Sequence, residues 1–262
     1  MDHQRDGFDV SIHQTLFATY DNPMIVVDSA DFDGTNDYMT RGAGLTGAVD
    51  SKSGIFAAWA RMDGGDGAVR SIISATTVGG LFFIVDRTPL NKFLVQGMNA
   101  AGTIILSLPT VNSYVASATW RGILSSWNLA TGAGHLYISD ASDLGTTILT
   151  DDTVDYTYTD WFIGANTAAG LEKMNGALAE VYFAPGQYLD FSLVANRRKF
   201  ISASGKPVHL GSTGALPTGT APLVYQHLDD AEAVANFATN RGTGGNFTIT
   251  GTLDTGSTSP SD

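Results

Sequence analysis

Short runs of β-branched and aromatic residues recur along most of the sequence, and this recurrence constrains the fold more than any other feature. Each run is bounded by Gly, Asp, Asn or Pro, residues that favour turns. The runs cover residues 24–27, 37–40, 54–61, 69–75, 80–85, 92–98, 103–108, 120–127, 133–139, 156–163, 177–183, 222–227 and 246–250. About a dozen short strands at this spacing are typical of an all-β sandwich or jelly roll.

Two local patterns refine this prediction. Residues 55–62 are apolar on both faces of a strand, apart from Arg61, and this indicates an inner strand covered on two sides. One short helix is predicted near residues 190–201, because Asp190 or Ser192 can accept hydrogen bonds from free backbone N–H groups at its start. The basic triplet at 197–199 then lies in the last turns, where the helix dipole favours positive charge. The triplet therefore needs no nucleic acid to explain it.

Composition excludes several classes of function. The 262-residue chain carries a net charge of −12, so its average field repels nucleic acid and anionic membrane surfaces. It contains no cysteine, which excludes disulfide frameworks, thiolate metal sites and cysteine nucleophiles. The N-terminus lacks an apolar signal core, and the longest apolar run, 79–85, is too short to span a bilayer. We therefore expect synthesis in the cytoplasm without a signal peptide, and no insertion into a membrane.

Four segments in succession resemble the concanavalin A-like, laminin-G-like (LamG) jelly rolls. They are FDGTNDY at 32–38, the hairpin at 120–138, FIGAN at 162–166 and MNGALAEVYF at 174–183. The resemblance covers roughly residues 24–200 and implies an all-β jelly-roll sandwich with one short helix. It divides the chain into an N-terminal anchoring arm at 1–23, a LamG-like jelly roll at 24–202 and a C-terminal β-extension at 203–262.

The C-terminal extension departs from the usual order of the family. LamG-like domains begin with a strand that ends in acidic residues, a glycine-rich turn and a second strand, and here a comparable block lies at 222–253. We predict that this block fills the vacant position in the sheet, either in cis, as in a circular permutation, or in trans on a neighbouring subunit. The final residues, 256–262, carry too little apolar surface to order themselves, and we expect them to order only against a partner.

The region 206–251 is similar to the ends of LamG-like proteins encoded in phage and prophage structural gene clusters. This resemblance implies a bacteriophage virion structural protein of the head, tail or fibre. Its partners would be other virion proteins and further copies of itself, and it could bind a host-surface glycan. The apolar arm at 1–23 would pack against another subunit. The alternatives are a stand-alone carbohydrate-binding module and a polysaccharide depolymerase.

The pattern of acidic residues argues against catalysis. Glucanases of this fold carry a Glu-x-Asp-x-x-Glu strand, since glycoside hydrolysis needs two carboxyl groups. The corresponding strand here offers only Glu180, and the other two glutamates of the chain are Glu172 and Glu232. We therefore predict no catalytic residues and a protein that is not an enzyme.

No metal or cofactor site is predicted with a defined set of ligands. The five histidines are scattered and none has a partner at metal-ligand spacing; they are His3, His13, His135, His209 and His227. A calcium site using Asp31, Asp33 or Asp37 is the alternative to a plain Asx turn at these residues. The glycines at 42–47 match a dinucleotide fingerprint by their letters, but they lead into a strand and not a helix, so a turn is predicted.

The four tryptophans are candidates for stacking on sugar rings, although core packing is the default for each. Trp59 lies in the middle of a strand and is expected to be buried, whereas Trp127 and Trp161 lie near turns and are better candidates for exposure. Trp120 completes the set. The sequence alone selects none of them as a ligand-binding residue.

Overall fold

A computed structural model describes residues 27–77, 80–167 and 171–262. In this part of the chain, strands that pair antiparallel form two sheets. The first sheet contains β1 (Ala30–Asp33), β3 (Ser53–Met62), β8 (Arg121–Asn128), β9 (Ala133–Ile138), β10 (Ala141–Ser142), β13 (Asn175–Pro185), β14 (Val224–Gln226) and β16 (Asp254–Thr255). The second contains β2 (Tyr38–Arg41), β4 (Arg70–Thr77), β5 (Gly80–Arg87), β6 (Phe93–Met98), β7 (Ile104–Pro109), β11 (Ile148–Leu149), β12 (Asp160–Ile163) and β15 (Thr248–Thr250). Among the described helices, none is long and apolar enough to cross a membrane.

The strand order confirms the predicted inner strand. In the first sheet the order is β10-β9-β8-β3-β13-β1-β16, so β3 lies in the middle, between β8 and β13. Nine of its ten residues are buried. The second sheet has the order β11-β7-β6-β5-β4-β12-β2-β15. Four strands were not predicted, namely β1, β10, β11 and β16, and three of these are only two residues long.

The main core lies between the two sheets and is rich in aromatic side chains. Phe83 of the second sheet stacks on Phe183 of the first, with their ring centroids 4.7 Å apart. Trp127 and Trp161 pack against the same pair, with ring centroids 5.8 Å and 5.4 Å from Phe83 and Phe183 respectively. Each buried aromatic side chain contributes about 2–3 kcal/mol of hydrophobic stabilisation. These rings hold the two layers together.

A second apolar cluster covers the outer face of the first sheet. Tyr182 of β13 contacts Phe200 and Tyr225, and all three rings are buried. The α-helix in this covering segment is only α1 (Val194–Arg197), much shorter than the predicted 190–201, and its flanking residues form turns. Packing of aromatic rings under the segment therefore shapes it more than helix propensity does.

The structure places the C-terminal block in cis. β14 pairs with β13, on the edge that β1 also uses, and β15 pairs with β2 in the second sheet. A 3-10 helix, Val234–Ala238, lies between them and buries Phe237. The prediction of an arm at 1–23 falls outside the described residues.

The end of the chain is ordered against its own domain, so the prediction that 256–262 needs a partner was wrong. Gly256 donates its N–H to the carbonyl of Ser29 at 2.9 Å, and the Ser29 hydroxyl donates to the carbonyl of Thr258 at 2.9 Å. Polar contacts with Ser29, just before β1, and with Arg61 of β3 replace the apolar surface that the segment lacks.

Candidate ligand-binding cleft

One lateral row of residues crosses the outer face of the first sheet at its end. Asp254 of β16 pairs with Asp31 of β1, Asp31 pairs with Ala177 of β13, and Ala177 pairs with Arg61 of β3. Trp120 follows in this row, because Ala60 pairs with Arg121, the residue after it. Paired residues of neighbouring strands point to the same face, so the row places acidic groups, a small floor residue, a guanidinium and an indole side by side.

Arg61 organises the row. Its side chain is buried, and its Nε and Nη2 donate to the two carboxylate oxygens of Asp63 at 2.7 Å and 2.6 Å. Nη2 also lies 3.6 Å from Asp31. The bidentate bond raises the pKa of Arg61 above its ordinary value and holds the guanidinium plane in one orientation.

The C-terminal segment crosses the row and connects Arg61 to Trp120. The hydroxyl of Thr258 accepts hydrogen bonds from Arg61 Nη1 at 2.7 Å and from the Trp120 indole nitrogen at 3.1 Å. The guanidinium carbon of Arg61 lies 5.6 Å from the centre of the Trp120 ring. Trp120 remains partly exposed. Its indole is thus fixed at both the ring and the nitrogen while part of its surface faces solvent.

These residues border a cleft that we call the rim cleft, lined by Arg61, Asp63, Ser117 and Thr258 among others. Trp120 lies beside this lining, where its indole nitrogen bonds Thr258. The volume of the cleft is about 420 Å³, within the range of known small-molecule sites. An acidic pocket adjoins it and shares Asp63; the other polar side chains lining this pocket are those of Asp31, Asp33, Asp37, Asn175 and Asp254.

The pKa of Asp31 reflects the burial and the charges at this surface. Burial raises its pKa, Arg61 lowers it, and the charges of Asp63 and Asp254 raise it again, so the net direction is upward. Five aspartates line the acidic pocket, whereas the guanidinium beside it is that of Arg61. The rim cleft and its neighbouring pocket favour neutral or cationic ligand groups and repel anionic ones.

The carboxylates of Asp31, Asp33 and Asp37, the residues of the alternative calcium site, all have partners within the chain. Asp33 Oδ1 accepts the backbone N–H groups of Thr35, Asn36 and Asp37 at 2.7, 3.0 and 3.3 Å, as in an Asx turn. Asp37 accepts the N–H of Thr252 at 2.8 Å and that of Asp33 at 3.1 Å. Backbone donors and Arg61 thus supply the positive charge there. Among the described residues, no group of three or more His, Cys, Asp or Glu side chains is arranged to hold a metal ion.

The predicted exposure of the tryptophans was wrong for two of them. Trp127 and Trp161 are both 0% exposed, because they lie within β8 and β12 and point into the core between the sheets. Trp59 is buried, as expected. Trp120, which was not favoured, is partly exposed and lies beside the cleft. Trp120 comes beside Arg61 only through the register of β8 against β3. The sequence does not specify this register.

Comparisons with known proteins identify the fold. No protein-family model matches the sequence, and no curated protein matches it. A candidate carbohydrate-binding protein from Bacteroides ovatus superposes with a TM-score of 0.60 and 12% identity over 89% of this chain, which spans 60% of that protein. The heptameric SAP-like pentraxin of Limulus polyphemus gives a TM-score of 0.54 and 10% identity, with coverages of 88% and 94%. The chain has a concanavalin A-like jelly-roll fold.

β13 is the strand compared above with the catalytic strand of glucanases. Its single glutamate, Glu180, is buried at a β-bulge, has a positive φ of 51°, and faces the C-terminal block. Glu180 Oε1 accepts hydrogen bonds from Tyr225 at 3.0 Å and from His227 Nδ1 at 3.0 Å. These contacts join β13 to the segment of β14, and they explain the glutamate as a structural group.

The described histidines of the jelly roll also have local partners. His135 Nε2 lies 3.1 Å from the hydroxyl of Tyr188 and 3.3 Å from Asp190. His227 bridges Glu180 and Asp229. His3 and His13 lie outside the described residues.

Proposed function

We propose that this jelly roll is a non-enzymatic glycan-binding protein whose ligand occupies the rim cleft. The observation that supports this most is the pairing of a partly exposed indole, Trp120, with the fixed polar groups of Arg61, Asp63 and Thr258. A sugar ring presents apolar C–H groups on its faces and hydroxyls at its edge. An aromatic surface beside convergent donors and acceptors matches both parts.

The charge of the cleft narrows the ligand class. Arg61 already binds Asp63 through two hydrogen bonds and also lies 3.6 Å from Asp31, so its charge is compensated, and Asp254 adds further negative charge beside it. We expect neutral or amino sugars to bind and uronic or sialic acids to be excluded. The candidate carbohydrate-binding protein of the same fold supports a carbohydrate as the ligand.

The experiment is a glycan array followed by calorimetry on the full-length protein. Trp120→Ala should weaken binding of the selected neutral glycan at least tenfold, equivalent to about 1.4 kcal/mol. Trp59→Phe is the matched control, since Trp59 is buried on the same strand as Arg61 and should leave affinity unchanged. Equal affinity in Trp120→Ala and wild type would contradict the assignment of the cleft.

The virion role is a second proposal, supported by the resemblance of region 206–251 to phage structural proteins. It is compatible with glycan binding, because a particle component could use the rim cleft to attach to a host surface. It also implies self-assembly and other virion proteins as partners. The mass of the protein in solution, measured with and without residues 1–23, tests this role.

A further inference from the structure

The second sheet carries a buried carboxyl group, one oxygen of which has no hydrogen-bond partner. Asp86 of β5 is 6% exposed, and its Oδ1 has no donor. Phe83 and Val85 of the same strand face the main core, so Asp86 points to the opposite, outer face of the sheet. A buried carboxylate that lacks a partner is destabilising by several kcal/mol, and proteins keep such groups where a ligand or proton compensates them.

Three neighbouring chain segments bring further oxygen atoms to Asp86. Ser71 of β4 lies directly opposite Asp86 in the strand pairing. Beyond β12, Gly164 donates its N–H to Ile72 at 3.0 Å, and Ser71 donates its N–H to the carbonyl of Glu172 at 2.9 Å. Asp86, Ser71 and Glu172 therefore form a row across adjacent segments.

Two uncharged oxygens in this group also lack donors. The hydroxyl of Ser71 is fully buried and unpartnered. Asn166 is 5% exposed, and its Nδ2 donates to Glu172 Oε2, which fixes the amide and leaves Asn166 Oδ1 without a hydrogen bond. Buried oxygens that accept nothing are uncommon in folded proteins, and several together indicate a missing positive partner.

The pKa shifts of Asp86 and Glu172 agree with a missing positive partner. Burial and the charge of Glu172 raise the pKa of Asp86 to about 7, and burial raises the pKa of Glu172 even though Asn166 lowers it. No cation contributes to the pKa of either carboxyl among the described residues. The nearest basic positions in the pairing, Arg70 and Arg87, alternate to the other face, where Arg87 binds Asp66.

We propose that Asp86, Glu172, Asn166 and Ser71 bind a divalent cation, with calcium preferred. All four supply oxygen, the ligand type that hard cations take, and the two carboxylates match the charge of the ion. Calcium is preferred to magnesium because it accepts irregular sets of six to eight oxygens, whereas magnesium requires a near-ideal octahedron. The site lies on the second sheet and is separate from the rim cleft, so it does not depend on the glycan proposal.

The test is thermal unfolding of the full-length protein, treated with chelator and then titrated with calcium or magnesium chloride. At 100 times the dissociation constant, calcium should raise Tm by about 5 °C or more. Asp86→Asn and Glu172→Gln should each abolish the shift. Asp86→Asn removes an unpaired buried charge, so we expect this variant to fold and to be at least as stable as calcium-free wild type.

The control is Asp254→Asn, which removes a carboxylate from the acidic pocket beside the rim cleft and should keep the full calcium response. A calcium shift of equal size in Asp86→Asn and wild type would overturn the proposal. So would the absence of both a shift and binding heat at millimolar calcium in the wild type. In the latter case, protonation alone compensates Asp86.

Discussion

His227 joins the C-terminal block to the first sheet, and its removal should destabilise the fold. Its Nδ1 lies 3.0 Å from Glu180 Oε1 and its Nε2 lies 3.0 Å from Asp229 Oδ1. Only the doubly protonated ring can donate at both positions. Burial lowers the pKa of His227, but its hydrogen bond to Glu180, the charge of Glu180 and the bond to Asp229 outweigh this and raise the pKa.

The magnitude follows from what His227→Ala would leave behind. Glu180 is 3% exposed and would keep one hydrogen bond, from Tyr225. Removing one partner of a buried ion pair costs about 3–5 kcal/mol, and the remaining bond places this case near 3 kcal/mol. For a chain of this size that corresponds to a fall in Tm of about 6–12 °C.

Urea denaturation at several pH values measures this loss. Because the folded pKa of His227 is raised, its stabilisation is complete below the ordinary value of 6.5 and is lost as the pH rises through the folded pKa. The difference between wild type and His227→Ala should therefore shrink as the pH rises through that raised pKa. His209→Ala, at an exposed position, is the control.

A further variant tests the charge directly. Adding Glu180→Gln to His227→Ala should restore part of the lost stability, because the uncompensated charge disappears. A loss below 1 kcal/mol in His227→Ala, or a difference that grows with pH, would refute the reasoning.

Three other predictions concern packing, a turn and assembly. Gly54→Ala would place its Cβ 2.2 Å from the buried ring of Trp127 and should lower stability by about 1–3 kcal/mol in urea denaturation, whereas Gly42→Ala, with its nearest contact at 3.7 Å, should not. Asp33→Ala removes the acceptor of three backbone N–H groups and should cost about 1 kcal/mol at neutral pH. Burial raises the pKa of Asp33, but these hydrogen bonds lower it by more, so the folded pKa lies below the ordinary value. The stabilisation from Asp33 is therefore lost as the pH falls through the folded pKa. Light scattering should show an oligomer that depends on residues 1–23; a monomer with and without them would contradict the virion proposal.

The sequence predicted the fold well because strand signals are local. Alternation in residues 55–62 and turn residues between runs were enough to place most strands, and the LamG-like segments indicated their architecture. The strands that were missed, such as β16, are short and polar and form only through pairing with a distant strand. The helix was predicted too long, since buried aromatic rings such as Phe200 shape that segment.

The sequence predicted the candidate site less well than the fold. Trp120 and Arg61 meet only through the register of β3 against β8, and Thr258 reaches them from the far end of the chain. Proximity to a turn was a poor guide to exposure, as Trp127 and Trp161 show. Asp86 and Glu172 likewise come together only through sheet pairing.

The central claim, that a glycan binds beside Trp120, is tested most directly by the indole N–H resonances of the protein in NMR. The four tryptophans give four such signals, and Trp120→Phe assigns the one at the rim cleft. The proposal predicts that a neutral glycan shifts the Trp120 signal in a saturable way and leaves those of the buried Trp59, Trp127 and Trp161 in place. Saturable binding that leaves the Trp120 signal unmoved would contradict it.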